Sequence, residues 1–180
     1  MLFALSAAAS AQQPAKIPRI GYLTAVSISA YSTRIEAFRQ GLVEHGYIEG
    51  KNIVIEWRSS EGSRDRTPEL AAELVRLKVD VIVSGGLGAT RAAKAATSTI
   101  PIVMTRDSDP VGNGFVASLA RPGGNISGLS NLASDLVGKR LELLKEILPK
   151  LSQVAVFGTS VNEDDVRELR QLRIRRARWE

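Results

Sequence analysis

Residues 80–96 read DVIVSGGLGATRAAKAA. An apolar strand pattern runs into Gly85, Gly86 and Gly88, then into an alanine-rich helical pattern. Strand, glycine turn and helix in direct succession form the repeating unit of a parallel α/β sheet. The glycines fall at the strand's C-terminal end, where such sheets bind ligands. A dinucleotide fingerprint needs G-x-G-x-x-G after the first strand and an acid about twenty residues on. Here G-G-x-G follows the third strand, and position 90 is threonine. A Walker loop would close on Gly-Lys-Ser/Thr, which is absent. Two readings stand ahead of a nucleotide phosphate. One is a glycine-lined turn with a purely structural role. The other is a loop whose backbone amides and helix N-terminus face a ligand carboxylate or similar anion.

The same unit recurs on both sides of this stretch. RIGYLTA (19–25) predicts a first strand, and Ile35, Phe38 and Leu42 give a helix over 31–45 that Gly46 stops. Ile53, Ile55 and Trp57 alternate in a second strand. Thr67 is placed to cap a helix with Pro68 at its first position. VDVIVS is the third strand, PIVM (101–104) the fourth and Ile126–Leu129 a short fifth, with FVASLA (115–120) read as a short helix between the last two. Crossovers of this length imply a parallel sheet, joined right-handedly. Fold class is therefore α/β: a Rossmann-like open parallel sheet with helices on both faces. Beyond it, Ser134 is expected to cap a longer helix carrying Val137, Leu141, Leu144 and Leu148, and LSQVAVF (151–157) reads as a sixth strand.

Composition narrows the function classes. The chain has 180 residues, 44% of them apolar, which suffices for one filled core. Cysteine is absent, so disulfides and thiolate metal sites are excluded. Net charge is +5, but aromatics are only 5% and no DNA or RNA motif appears, which argues against a nucleic-acid partner. Six arginines and five acids crowd the last twenty residues. The N-terminal MLFALSAAASAQQPAK is short of a membrane span. Its Ala9-Ser10-Ala11 has the small-x-small form of a signal-peptidase site, though no positive charge precedes Leu2, so 1–18 reads as a remnant signal segment and linker, with a plain flexible tail as the alternative.

Three loops at strand C-termini carry the polar groups. After the first strand come Ser27, Ser29, Tyr31 and Ser32: either Ser29 or Ser32 simply caps the helix, or the hydroxyls and the ring meet a small ligand. After the fourth, Asp109 is placed for structural capping, and recognition of a ligand amine by Asp107 or Asp109 is the alternative; catalysis is the least favoured role, since no partner base is identifiable. His45, the single histidine, belongs in a helix's last turn. Trp57 reads as a core or sheet-edge residue.

In this order RIGYL, AFRQGLVEHGYIEGKNIVIEWRSSEG, RTPELAAELVRLKVDVIV, AATSTIPIVM, DPVGNGFVASLARPGGNISGLS and GKRLELLKEILPKLSQVAVF resemble the ABC-transporter substrate-binding proteins of the tryptophan/tyrosine-type and uncharacterised group. The resemblance covers roughly residues 19–158. It implies the type I periplasmic-binding fold, two lobes joined by a hinge, with a small solute captured between them. It also implies export to the periplasm or outer face of a bacterial membrane, docking on an ABC permease, and a monomer when full-length. No cofactor, metal or catalytic residue is implied. An amino acid, aromatic by preference, is the expected solute. By the family pattern the pocket draws on Ser27 to Tyr31, Gly86 to Thr90 and Asp107 to Pro110, with Asn131 at the hinge or cleft.

Residues 19–131 are then expected to form the N-terminal lobe, 132–160 the start of a second lobe and 161–180 a poorly ordered arginine-rich tail. Family members are longer, so a truncated form is expected, with a folded first lobe, a poorly packed C-terminal part and weak solute affinity. The competing class is a nucleotide-binding Rossmann-like enzyme domain, an oxidoreductase or transferase. It would need a first-loop glycine fingerprint that TAVSISA does not supply. A response-regulator-like domain would need acids at the first strand's end, and there are none.

Overall fold

The computed structural model describes residues 16–131 and 133–155. The expectations for the signal segment, the end of the sixth strand and the arginine-rich tail lie outside them. Five strands, β1 (Arg19–Thr24), β2 (Val54–Ser59), β3 (Val81–Gly85), β4 (Ile102–Asp107) and β5 (Ile126–Ser130), form one sheet in the order β2-β1-β3-β4-β5. Every pairing is parallel. Four helices accompany them: α1 (Ser32–Glu44), α2 (Arg66–Arg76), α3 (Leu87–Ala96) and α4 (Ala133–Ile147). This is the open α/β sheet expected from the strand–helix alternation.

Each sheet face has its own core. On one, Leu23, Ile82, Ile102, Met104 and Ile126 pack against Leu70, Ala71 and Leu74 of α2 and Ala89, Ala92 and Ala93 of α3. The alanines let α3 lie close to the strands. On the other face, Ile20, Tyr22, Ile55 and Val83 meet Ile35, Phe38 and Leu42 of α1. Tyr22, Phe38 and Trp57 stack there with centroids 4.9 to 6.3 Å apart. The Trp57 indole donates to Glu49 at 2.9 Å, as suits a residue on an edge strand. His45 is the residue that closes α1, and Gly46 follows at φ 82°.

Four local expectations are corrected. α2 starts at Arg66, so Thr67 and Pro68 lie inside its first turn. Thr67 is buried and donates to the Ser60 hydroxyl at 2.9 Å, tying α2 to the loop after β2 rather than capping the helix. No helix forms at 115–120. The amides of Phe115 and Val116 return to the Pro110 carbonyl, and that of Ala117 donates to Pro122. Six residues bounded by proline do not offset the cost of a helical nucleus, and Phe115 and Val116 bury themselves from a compact loop instead. α4 begins at Ala133, so Ser134 is inside it. Residues 151–155 join no strand, because none among the described residues lies beside them to complete a ladder.

Candidate solute site

Parallel strands send all their C-termini to one edge. In the order β2-β1-β3-β4-β5 the connections diverge between β1 and β3, which opens a crevice there. Thr24, the last residue of β1, pairs with Gly85, the last of β3. The loops carrying Ser27–Tyr31 and Gly86–Thr90 therefore start side by side.

The β1 loop is held from beneath. Thr24 is fully buried, and its hydroxyl accepts from the Val26 amide at 3.2 Å. The loop after β2 braces the same segment. The amide of Gly62 donates to the Ala25 carbonyl at 2.7 Å, and the Ser59 hydroxyl to that of Val26 at 3.0 Å. Ser27 accepts from the Ala30 amide at 3.3 Å and lies 3.2 Å from the Ser29 hydroxyl. These bonds hold the 3-10 turn Ser29–Tyr31 in place, and the capping expected of Ser29 or Ser32 does not form: the residue before α1 is Tyr31, with no side-chain cap. Tyr31 is half-buried against the α1 core, with the Arg34 guanidinium 4.8 Å from its ring centre. Burial, then the neighbouring Tyr31, raises the pKa of Tyr22 beneath it, while Arg34 works the other way.

The β3 loop turns on Gly86, whose φ of 101° an L side chain adopts only with strain. α3 starts at the next residue, which leaves the amides of its first turn without partners inside the helix. Gly88 is exposed at that end. Ala89 and Thr90 are not: both are buried, Ala89 in the core and Thr90 with its hydroxyl 2.8 Å from Ser84 Oγ and donating to the Gly86 carbonyl at 3.1 Å. Their side chains fix the loop from behind.

Asp107, Asp109 and Asn131 gather one step along the edge. Asp107 is buried; its Oδ1 accepts from the Asp109 amide at 2.8 Å and from Asn113 Nδ2 at 2.9 Å. Asp109 accepts from the Gly112 amide at 2.8 Å, a turn-capping role. The amide of Asn131 donates to the Asp107 carbonyl at 2.9 Å. Thr105 links this group to the crevice by donating to the Ser84 carbonyl at 3.2 Å.

The residues sequence reasoning missed are the supports, Thr24, Ser60, Ser84 and Asn113. For Thr24 and Ser84 the signal was a polar residue at the end of an apolar strand, as in RIGYLT and VIVS; Ser60 and Asn113 lie in loops and carried no such sign. Among the described residues no cluster of three or more histidines, cysteines or carboxylates could hold a metal ion. No helix among them is long and apolar enough to cross a membrane.

Residues 19–178 match the family described as ABC transporter substrate binding protein. A "Tyrosine-binding protein" of Clostridioides difficile is 38% identical over 126 residues, which are 69% of this chain and 36% of that one. A conserved domain protein from Vibrio cholerae superposes with a TM-score of 0.77 at 31% identity, covering 91% of this chain and 54% of its own. An ABC domain from Streptococcus pneumonia, solved in complex with L-Trp, gives 0.71 at 27% identity, covering 86% and 51%. The chain thus spans about half the length of these solved relatives and about a third of the curated one. Proteins of this kind are transport receptors rather than enzymes, they serve a membrane permease, and their place is typically outside the cytoplasm. By the extent of the match, this chain belongs to the ABC transporter substrate binding protein family.

Proposed function

We propose that the chain supplies one lip of the solute cleft in the substrate-binding component of an ABC-type importer. Residues 19–131 are the lobe that carries this lip, and the second lobe starts at 132. The solute is an amino acid, aromatic by preference. It meets Ser27, Ser29 and Tyr31 on one side of the crevice and the backbone of Gly86 and Gly88 on the other. Ala89 and Thr90 hold the second loop in place. Asp109 and Asn131 border the cleft, and Asp107 stands behind them. The component works in the periplasm or at the outer face of a bacterial membrane, as a monomer, and delivers its solute to the permease.

The observation that carries this reading is the sheet order in a chain of this family: β1 and β3 end side by side, so the loop with Ser27, Ser29 and Tyr31 and the start of α3 leave neighbouring strand ends. Binding of this kind requires a few placed polar groups and an apolar wall, and no nucleophile or base. Two relatives support the choice of solute, one named for tyrosine and one solved with L-Trp. Closure of the cleft on a solute is a population shift driven by preferential affinity for the closed form. Saturation-transfer NMR tests the reading on a panel of L-tyrosine, L-tryptophan, L-phenylalanine, L-lysine, NADH and ATP. The expected result is transfer to the aromatic amino acids. Transfer to NADH or ATP alone would overturn it in favour of a nucleotide site.

A further inference from the structure

The β4 strand does not end regularly. Met104 pairs with Gly128 and Asp107 with Ser130, so three steps along β4 answer two along β5. One extra residue is accommodated, which makes this a bulge. Its effect is visible in the burial pattern. Ile102 and Met104 are buried while Val103 between them is exposed, so regular alternation would bury Arg106 and expose Asp107. The opposite holds: Arg106 is exposed and Asp107 is 3% exposed. Gly128 makes this possible. It sits at φ 141°, and a Cβ there would overlap the Met104 backbone.

Turned inward, Asp107 bonds to both segments at this corner. Its carboxylate holds the loop through the Asp109 amide and Asn113, and its carbonyl receives the amide of Asn131, where the chain leaves the sheet. Resting on the solute-binding reading above, we propose that Asp107 is a positioning residue. It makes no solute contact but joins the loop 108–116 to the exit segment at Asn131, so that a solute touching the loop is felt where the two lobes connect.

Amide hydrogen exchange on the 180-residue chain, without solute, tests this, because exchange reports local opening. Asp107→Ala removes the acceptor for Asp109 and Asn113 but leaves the Asn131 amide its backbone acceptor. We expect exchange to speed about tenfold or more at Asp109, Asn113 and also Asn131, with Leu23, Ile82 and Val83 unchanged. Asp107→Asn keeps an acceptor oxygen and should restore the wild-type rates. Asn113→Ala, the milder lesion, should give the same pattern in weaker form. Faster exchange at Asp109 with no change at Asn131 would overturn the proposal, as would uniform acceleration through the central strands in all three variants. The measurement involves no solute, so its failure leaves the binding reading standing, and failure to bind aromatic amino acids leaves this coupling intact.

Discussion

At the scale of single residues, the candidate site rests on buried hydroxyls rather than on charges. Ser84 and Thr90 are both fully buried, and their hydroxyls lie 2.8 Å apart beneath the turn at Gly86. A buried hydroxyl that loses its partner bears its full desolvation cost. Thr90→Val keeps the shape but leaves Ser84 unpartnered there, and is expected to lower unfolding free energy by about 1–3 kcal/mol in urea denaturation. Ser84→Ala combined with Thr90→Val removes both groups, so the double variant should recover part of that loss. An additive double loss would show that the pair does not interact. The inward Asp107 makes a related point. The acids of RDSDP left structural capping by Asp109 and amine recognition by Asp107 or Asp109 both open, and in the structure each carboxylate bonds within its own loop. Sequence spacing does not tell a ligand carboxylate from a turn carboxylate, because both favour loops at strand ends.

At the scale of elements, what the sequence made legible followed from burial. β3 and β1 read clearly because parallel strands covered on both faces are apolar throughout. α1 read clearly from Ile35, Phe38 and Leu42, all of which face the Tyr22 side of the sheet. The misread pieces are those decided by long-range contact. FVASLA has helical composition, but Phe115 and Val116 gain more by burial from a loop tied to Pro110. Thr67 has the chemistry of a cap, but Ser60 stands closer to hand. The bulge in β4 left no local sign, since its cause is a glycine on the neighbouring strand. Gly128→Ala is accordingly expected to cost about 2–4 kcal/mol, read as a lower midpoint in thermal or urea unfolding, because it combines positive-φ strain with backbone overlap. A loss under half a kilocalorie would mean that β5 shifts freely and the bulge is not fixed by it.

At the scale of the whole molecule, sheet order decides where a solute can lie. The switch between β1 and β3 creates the crevice, and the loops beside it hold Ser27, Ser29, Tyr31, Gly86 and Gly88. The outer part of the α1 face carries exposed Val103 and Leu129, and α4 leaves Leu136, Leu143 and Ile147 exposed, so the apolar surface of the described residues is concentrated beyond β3. Backbone amide shifts report, residue by residue, whether a solute meets the loops of this lobe. The most direct measurement is a 15N-resolved NMR titration of the chain with L-tyrosine. The account predicts saturable shifts concentrated at the amides of residues 27–31 and 86–90, reduced when Gly88 is replaced by proline, which removes one amide at the start of α3. Saturable shifts clustered elsewhere, or none at these residues, would contradict it.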